Sequence, residues 1–553
     1  MDNSDIVKRF GQVQSARSIV QSVWDTLTDY INPYRGKFFQ DNVNEGSIEW
    51  RNRQVWDSTA TRACRLMANS MHANLTSPAT RWFDLRYRVE ELADDKAAAM
   101  WLRQAAEKVY NALQDSNFNR EISQAYYDLV LFGTASITQE AKQESDKGWG
   151  GMLFSAVPLK EAFFEEDHEG QAEYYYRLLK WTPVQIMSKF GTDVPKSVIS
   201  AAEKAPETKL EVLFAIFPRK GKEPAEMGKK LAPKRRPIGY KYILKESAED
   251  LGKEGGYYEM PAFMPRWEVT SDSMWGNSPS MDALNDILTL NAMVEIRTIA
   301  DEKQLDPPIL VEERAMVTDL NLDARAVTVV RNIDGVREWT LGGNISVTQE
   351  AIGDLQDSIK QTYRVNELLL PPPQAQPMTA YESGLRYQEM QRILGPTLGM
   401  LQNDMLDKIV ARTFNLMMRA GELGDIPESV LQARSELEVE YVGQAARAER
   451  VAQAQNVEQF VGKIAELSQV MPEMLDTVDS VKVANKLARY YNVDPELLRS
   501  DSEVNEIKAN RQQQAAAAAE AEQMQARGDA AQSSLAAVSQ LQDASERQAG
   551  GQQ

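Results

Sequence analysis

A helical pattern that is apolar on two sides constrains the fold of this sequence more than any other feature. It starts at Ser278-Pro279, where serine suits the cap of a helix and proline suits its first turn. One apolar face comprises Met281, Leu284, Leu288, Ala292, Ile296 and Ile299, and a second comprises Ile287, Leu290 and Val294. Because both faces must be packed, the pattern predicts a helix inside a core or between neighbouring subunits. The acidic residues on it still need solvent, which favours the wall of an oligomer.

A small β module and a second helix are expected next. After Asp306-Pro307-Pro308, residues 309–311 and 326–330 have the composition of short strands, with turns at Asp334-Gly335 and Gly342-Gly343. A helix over 349–368 then carries Ile352, Leu355, Ile359 and Tyr363 on one face. It runs into Leu370-Pro371-Pro372-Pro373, and three prolines forbid a continuing helix and favour an extended segment.

A long kinked helix follows the prolines. Thr379-Ala380-Tyr381-Glu382 is a capping-box pattern that predicts its start, and the helix should extend to about Ala420. Gly395-Pro396 lies inside it, which removes one backbone hydrogen bond and predicts a kink there.

The first half of the chain mixes both periodicities. Helices are predicted over 6–31, 49–75, 95–114 and 118–132, with Val55 and Trp56 among the buried positions of the second. Strands are predicted over 81–85, 134–142, 152–157, 172–181, 209–217 and 238–245. We therefore expect a mostly helical α+β fold with a mainly antiparallel sheet.

The C-terminal part becomes helical and then poor in apolar bulk. A strand over 437–442 precedes helical patterns around 445–470, 480–491 and 495–500. From about residue 508 the chain is rich in Gln and Ala, so it is either disordered or helical through packing with copies of itself. Disorder is the preferred prediction, at least after Gly528.

Bulk composition narrows the class of protein. The 553 residues are 43% hydrophobic, which suggests two to four folding units with a large core. No window approaches eighteen apolar residues, and we expect a soluble, unexported protein with no membrane partner. Its net charge of −19 argues against tight gripping of DNA, so a DNA partner should slide rather than stick.

Searches for reactive chemistry return little. The nearest approach to a phosphate-binding loop, around Gly228-Lys229-Lys230, has the wrong spacing and lacks Ser or Thr. Residues 165–169 could imitate a carboxylate metal site, but an acidic surface turn is favoured. With a single cysteine and two histidines, neither a zinc framework nor a catalytic triad is expected, and His72 is interpreted as a packed residue. We therefore expect no enzyme activity, metal or cofactor.

The basic stretch 219–236 has two interpretations. It could be a nucleic-acid patch, or it could be a solvated hairpin loop, which is favoured because no aromatic residues interleave with its charges.

Four stretches of the sequence form a further pattern: Tyr30-Ile31-Asn32-Pro33, Leu75-Thr76-Ser77-Pro78 through Trp82-Phe83, Gly276-Asn277-Ser278-Pro279 with Asn291, and Pro377-Met378-Thr379-Ala380-Tyr381-Glu382. In their order and spacing they resemble the portal, or head-to-tail connector, proteins of short-tailed bacteriophages. None is a reactive-site signature, but together they span most of residues 1–450.

The resemblance implies a portal fold with a wing, a helical stem, a β-containing clip and a helical crown. Its parts would be the wing (1–275), first stem helix (276–305), clip (306–348), second stem helix (349–368), tunnel loop (369–379), kinked helix and return to the wing (380–444), crown (445–507) and tail (508–553).

The resemblance also implies roles for particular residues. The tunnel loop facing DNA would present Leu370, Pro371, Pro372, Pro373, Gln374, Gln376 and Met378. The stem residues lining the channel would be Asp286, Glu295, Asp301 and Glu302. The clip would meet terminase or an adaptor through Glu312, Glu313, Arg314, Asp319, Arg331 and Asp334.

The implied partners are those of a capsid portal vertex. They are about twelve copies of the chain in a ring, double-stranded DNA bound without sequence specificity, the terminase large subunit, major capsid and scaffolding proteins, and a tail adaptor. Assembly in the host cytoplasm and residence in the virion are implied as well. The alternatives are another structural virion protein, such as a scaffold or internal ejection protein, and a carboxylate-metal nuclease.

Overall fold

The computed structural model describes residues 2–33, 55–79, 81–87, 95–144, 148–219, 231–270, 273–305, 309–311, 334, 336–338, 345–368, 395, 397–433, 437–441, 444–468, 471, 478–491 and 501–549. Within these ranges the chain divides into an α+β unit, Met1–Leu92 with Trp101–Ala446, and a second unit, Ala93–Met100 with Arg447–Gln553. The expected mostly helical α+β class is confirmed.

Fifteen α-helices are described in these ranges. They are α1 (Asn3–Ile31), α2 (Thr59–Leu75), α3 (Lys96–Asp115), α4 (Phe118–Phe132), α5 (Pro183–Phe190), α6 (Lys196–Lys204), α7 (Pro279–Asp282), α8 (Leu284–Leu305), α9 (Ile345–Thr362), α10 (Val365–Leu368), α11 (Asp407–Ala420), α12 (Glu428–Ala433), α13 (Gln444–Ser468), α14 (Ser480–Tyr490) and α15 (Asp501–Ala549).

The described strands form four antiparallel groups. They are β1 (Phe83–Tyr87), β2 (Ile137–Glu144), β3 (Gly148–Ala156), β4 (Ala162–Glu166), β5 (Ala172–Trp181), β6 (Leu210–Pro218), β7 (Ile238–Leu244), β8 (Glu249–Tyr257), β9 (Ala262–Phe263), β10 (Ile309–Val311), β11 (Val336–Glu338) and β12 (Leu437–Tyr441). Their orders are β4-β5-β6-β7-β8, β3-β2-β9, β1-β12 and β10-β11.

The five-stranded sheet and α1 share a core. The Asp2 side chain caps α1 by accepting from the Asn3 amide, and Ile6, Phe10 and Val13 then pack against the sheet. Phe10 meets Phe163 of β4 edge-to-face, with ring centroids 4.9 Å apart. The predicted opening helix is confirmed, and it covers one face of the sheet.

A buried arginine joins α1 to the turn before β4. Arg17 donates to the carbonyl oxygens of Ala162 (3.0 Å) and Lys160 (3.3 Å), and its guanidinium lies 3.6 Å from the centroid of the Phe163 ring. Desolvation by burial lowers the pKa of Arg17 to about 9. Lys160 precedes β4 and Ala162 is its first residue, and the guanidinium supplies donors to both carbonyl groups.

The predicted strands of the first half are confirmed, but sequence patterns missed five further elements. They missed β4, the edge strands β8 and β9, and the short helices α5 and α6. The β8 sequence, Glu249 to Tyr257, carries charges and glycines instead of an apolar alternation. Edge strands tolerate such composition because one side has no partner strand and polar residues discourage further pairing.

The prediction of a helix from residue 49 is wrong for the positions that are described. Residues 55–58 precede α2, and Trp56 is 40% exposed instead of buried. The Trp56 amide donates to Asn291 Oδ1 (2.7 Å), and Asp57 Oδ1 accepts from the Thr59 amide (2.7 Å). These bonds hold the segment outside helical geometry, and residues 49–54 lie outside the described residues.

The helices around the predicted β module are also refined. Ser278 caps α7 as predicted, and α8 follows after a single break at Ala283. The second helix starts at Ile345 instead of 349, and the prediction that it is continuous to 368 is wrong. It breaks at Tyr363 and Arg364, where Arg364 has a φ of 51°.

Some predictions fall partly or wholly outside the described residues. The 309–311 strand is confirmed and pairs with β11, whereas 326–330, 369–379 and the capping box at 379–382 are not described. Gly395 is helical, and Pro396 is not described, so the kink stays a prediction. The helix ends at Ala420 as predicted, and it contains an unpredicted π-helical turn, Gln402–Leu406.

Two distant parts of the α+β unit are joined by β1 and β12. The strand predicted at 81–85 lies at Phe83–Tyr87, and it pairs with the strand predicted at 437–442. Each strand was predicted from its own residues, but their pairing was not.

The tail of the second unit departs from expectation. The structure shows α15 as a helix of 49 residues that continues past Gly528, so the preferred prediction of disorder is wrong. Ala, Gln, Glu and Arg have high helix propensity, and no proline interrupts them. The predicted helices at 445–470 and 480–491 are confirmed, and 495–500 lies outside the described residues.

None of the helices in the described ranges is both long and apolar enough to cross a bilayer.

We predict that Gly133→Ala destabilises the fold by about 2–4 kcal/mol. Gly133 has a φ of 76°, and an added Cβ would lie 2.1 Å from the Gly276 carbonyl oxygen, which forces the backbone apart. The unfolding midpoint in thermal denaturation would measure the loss. Gly11→Ala on α1 is the matched control, because its Cβ meets nothing within 4 Å. Equal midpoints for the two variants would contradict the prediction.

Candidate functional site

The predicted channel wall is built from two helices that pack on each other, and we call α7–α8 and α9–α10 together the stem pair. Ile287 and Leu290 of α8 are buried, as are Ile352 and Ile359 of α9. Ser358 Oγ donates to Asp286 Oδ2 across the pair (2.7 Å). One apolar face of α8 is thus packed within the chain, as the two-faced pattern required.

The start of the stem pair is anchored on the last turn of α4. Carbonyl groups in the last turn of a helix have no partner within the helix. Ser278 Oγ donates to the Leu131 carbonyl (3.0 Å) and accepts from the Met281 amide (3.0 Å), and Ser280 Oγ donates to the Val130 carbonyl (2.8 Å). Both serines are completely buried. The same residues therefore cap the stem and satisfy α4.

Tyr363 locks the second stem helix to this anchor. Its hydroxyl donates to Ser280 Oγ (2.7 Å), and its side chain is completely buried at the break between α9 and α10. Burial raises the pKa of Tyr363 well above its usual value. Cys64 of α2 lies in the same polar cluster beside Ser280, and desolvation raises the pKa of its thiol to about 12. Both groups therefore stay neutral at physiological pH.

Aromatic packing and the close approach of two backbone segments stabilise the contact between the start of the stem pair and the last turn of α4. Trp275 meets Trp24 and Phe164 edge-to-face, at centroid distances of 5.2 and 5.0 Å. The Gly276 amide donates to Thr134 Oγ1 (3.0 Å). Gly276 also lies so close to Gly133 that neither tolerates a Cβ. The connection between α4 and the stem pair is therefore tight and directional.

A second brace reaches the middle of the stem pair. Asn291 of α8 accepts from the Trp56 amide, and Gln356 Nε2 of α9 donates to Asp57 Oδ2 (2.9 Å). The residues before α2 thus touch both stem helices. Sequence reasoning singled out Asn291 but missed Trp56 and Asp57 as its partners. The available signal was an amide side chain on the buried face of an apolar helix, which requires a hydrogen-bond partner.

The four predicted channel-lining residues all lie on α8. Asp286, Glu295 and Asp301 are half-buried, and Glu302 is exposed. Asp301 lies 3.5 Å from Arg297, one helical turn earlier. The described residues do not show whether these side chains face a channel, and this role stays a prediction.

The other predicted site residues are mostly beyond the described ranges. These are Leu370, Pro371, Pro372, Pro373, Gln374, Gln376 and Met378 of the tunnel loop, Glu312, Glu313, Arg314, Asp319 and Arg331 of the clip, and Pro396. Asp334 and Gly395 are described, and both are exposed.

The outer face of α8 is exposed among the residues that the structure describes. Ile296 is 65% exposed and Ile299 is 40% exposed, although both belong to the first apolar face predicted from sequence. Large apolar side chains exposed side by side on one helix are typical of a contact surface. This is the second packed side that the sequence pattern demands, and no described residue of the chain covers it.

Glu259 binds two arginines of α11. Arg419 donates to both carboxylate oxygens of Glu259 (2.7 Å each), and Arg412 donates to the Glu259 carbonyl (2.7 Å). Burial lowers the pKa of Arg412 to about 10. Paired, bidentate contacts of this kind fix orientation as well as position.

The acidic cluster at 165–169 is partly a turn and partly ion-paired. Glu165 pairs with Arg9 (2.8 Å), and Glu166 pairs with Arg266. The carboxylate of Asp167 accepts from the amides of Glu169 and Gln171, which closes the turn. Across the described part of the chain, no group of three or more His, Cys, Asp or Glu side chains is arranged to hold a metal ion.

The basic stretch also contributes structural bonds. Arg219 donates to Glu254 (2.6 Å) and to the carbonyl of Pro233 (2.8 Å), and Arg236 donates to the carbonyl of Gly256 (2.8 Å). Lys234 and Arg235 are exposed, and residues 220–230 lie outside the described ranges.

Comparison with known proteins identifies relatives over nearly the whole chain. The sequence profile of the family described as "Bacteriophage head to tail connecting protein" matches residues 3–498. The "Probable portal protein" of Bordetella phage BPP-1 is 28% identical over 523 residues, which cover 92% of this chain and 92% of that protein. The "Portal protein" of Salmonella phage epsilon15 is 26% identical over 548 residues, 97% of this chain and 95% of that protein.

We predict energetic coupling between Tyr363 and Ser280 at the anchor. Tyr363→Phe should cost roughly 1 kcal/mol of unfolding free energy, and Ser280→Ala roughly 2–3 kcal/mol because it leaves the Val130 carbonyl and the Tyr363 hydroxyl buried without a partner. The double variant should cost less than the sum. Guanidinium denaturation at one protein concentration measures all three.

The control for this cycle is Tyr491→Phe, because Tyr491 is 45% exposed and its hydroxyl donates to Glu458 at the surface. It should change stability by less than about 0.5 kcal/mol. Strictly additive effects of the two anchor substitutions would refute the coupling.

Proposed function

Because the chain belongs to the family of bacteriophage head-to-tail connecting proteins, its role is that of a portal protein, and we propose that it forms a ring-shaped DNA channel at one capsid vertex. Membership of this family makes it a structural virion component that associates with the capsid and tail. In the proposed channel, DNA enters during packaging and leaves during ejection, and terminase and a tail adaptor dock on the ring. The chain itself carries out no catalysis.

The observation that carries the ring is the uncovered apolar face of α8. Ile296 and Ile299 are exposed on a helix whose opposite face is packed against α9. A neighbouring copy in the same orientation would cover this face, and repetition of such a head-to-tail contact closes a ring when the rotation allows it. We propose about twelve copies, the number that the family resemblance implies.

The remaining parts follow the same plan as proposals. Residues 306–348 would form the clip that meets terminase or the adaptor, and 369–379 the loop that contacts DNA. The helices of the second unit would form the crown. The exposed apolar residues of α15 would pack against those of other copies, and they are Met524, Leu535, Val538 and Leu541. Assembly would take place in the host cytoplasm.

We predict that Ile296→Glu abolishes ring formation, because it buries one unpaired carboxylate per subunit in the proposed contact. Negative-stain electron microscopy of the purified protein, with rotational symmetry computed from end-on views, is the measurement. Wild-type protein should give rings with a central hole. Val184→Glu, at a 55% exposed apolar position on α5, is the matched control and should assemble normally. Compact monomers or dimers of the wild type would overturn the proposed function.

The excess of acidic over basic residues in the chain supports a channel wall that does not bind DNA tightly. Its 81 acidic residues exceed its 62 Lys and Arg residues. Tight duplex binding requires cations that neutralise phosphates, and a wall without them offers no deep electrostatic minimum where translocation would halt. The half-buried Glu295 and the exposed Glu302 would contribute to this wall.

We predict that Glu295→Lys slows DNA packaging, because a ring of cations in the channel attracts phosphates. Raising the ionic strength should partly restore the rate, since salt screens that attraction. Packaging of labelled DNA into empty heads measures both effects. Glu207→Lys makes the same charge change at an exposed wing position and should package normally. A normal packaging rate for Glu295→Lys would count against the acidic channel.

A further inference from the structure

A cavity of about 550 Å³ opens in the α+β unit beside α11. It lies where three parts of the unit meet: the turn after β4 with Gly170, the segment that begins at Arg266, and the helical turn that contains Asp404. Neither the stem pair nor the acidic channel uses it.

Asp404 lies at the floor of this cavity with an unmet hydrogen-bonding requirement. Its side chain belongs to the π-helical turn Gln402–Leu406 and is only 8% exposed. Its Oδ2 atom has no hydrogen-bond partner in the described part of the chain, and the nearest cation, Arg266 Nη2, is 3.6 Å away. π-Helical turns are rare and frequently occur at functional sites. A carboxylate buried in this way needs a donor.

Arg266 leaves a second unmet atom on the same floor. It is 7% exposed and donates to Glu166 and to the Gly170 carbonyl (2.8 Å). Its Nε atom nevertheless has no hydrogen-bond partner in the described ranges. Burial raises the pKa of Glu166, although Arg266 opposes that shift. The floor is therefore polar and incompletely satisfied within the chain.

The cavity wall contains both long apolar side chains and negatively charged side chains. Val269, Met274 and Met400 supply apolar surface, and methionine side chains adapt easily to an inserted group. Among the described lining residues there are three carboxylates, those of Glu166, Glu169 and Asp404, and one cation, Arg266. Lys408 donates to the lining residue Gln171 and interacts electrostatically with Asp404, so the negative charge is balanced only in part. A long aliphatic stem with a cationic head matches this combination.

We propose that this cavity binds an arginine side chain of a partner protein. The stem of that arginine packs against Met274 and Met400, and its guanidinium donates to Asp404 Oδ2 and faces Glu166. Arginine fits better than lysine because its planar fork of donors can span two carboxylates, whereas an ammonium is a point charge. The inference goes beyond the proposed channel function, which assigns no partner contact to this place.

The first experiment measures binding of small probes to the assembled wild-type protein. N-acetyl-arginine amide is titrated and observed by saturation-transfer NMR, with N-acetyl-citrulline amide as a neutral analogue of the same shape and N-acetyl-lysine amide as a point-charge analogue. We expect binding of the arginine probe to be at least about ten-fold tighter than that of either analogue. Equal binding of the citrulline or lysine probe would overturn the proposal.

Two variants locate the binding. Asp404→Asn removes the floor charge and should weaken binding of the arginine probe at least about ten-fold. Asp425→Asn is the matched control, because it removes one charge at an exposed position after α11. Should Asp404→Asn fail to fold, Asn403→Trp at the exposed rim should block the cavity without burying new polar groups. Unchanged affinity in whichever of the two variants folds would overturn the proposal.

These measurements are independent of the proposed channel. Both variants keep the apolar face of α8, so each should still form rings in end-on electron micrographs. Loss of probe binding with intact rings supports the inference, and absence of probe binding in intact wild-type rings refutes it without affecting the channel assignment.

Discussion

The last turn of α4 is the point on which the rest of the α+β unit depends. A helix leaves its final carbonyl groups without intrahelical partners, and here three of them are buried and satisfied by side chains from elsewhere. Trp24 of α1 donates to the Phe132 carbonyl (3.0 Å), Ser278 to Leu131 and Ser280 to Val130. Each bond contributes only about 1 kcal/mol net, but an unpaired buried carbonyl costs more. Removal of any of the three donors would therefore destabilise the fold by more than its hydrogen bond contributes.

The last turn of α4 is connected to α1, which covers the five-stranded sheet, and to both helices of the stem pair. Through Trp24 it reaches α1, whose N-terminal half covers the five-stranded sheet. Through Ser278 and Ser280 it reaches the stem pair, and through the Tyr363 hydroxyl it fixes the second stem helix as well. Gly133, which ends α4 in a left-handed conformation, lets the chain pass within van der Waals distance of Gly276. The helices α1 and α4 and the stem pair are thereby joined in one hydrogen-bonded network.

Local chemistry allowed much of this to be predicted from sequence, and long-range chemistry did not. The start of α7 follows from Ser278-Pro279, and the burial of Ile352, Ile359 and Tyr363 follows from their spacing. The break at Arg364 was not predictable from local residues, because it lies beside Tyr363, whose hydroxyl bonds to a serine 83 positions earlier. Trp56 was misplaced for the same reason, since Asn291 holds its amide outside the helix. In α15, propensity outweighed the shortage of apolar residues.

The contact between the stem pair and the last turn of α4 is made of hydrogen bonds, and these fix the angle between helices more closely than apolar contacts do. Helices that pack through apolar side chains alone adopt crossing angles that scatter by tens of degrees, because the hydrophobic effect has no direction. A closed ring tolerates little scatter, since an angular error in one subunit contact is repeated at every contact around the ring. Hydrogen bonds are directional, and a buried bond that is bent or broken leaves a costly unpaired group. The serine, tyrosine and asparagine contacts of the stem pair therefore define its angle to α4 and to the residues before α2, while Ile296 and Ile299 of α8 are exposed in the described part of the chain, where the proposed ring would place a neighbouring copy.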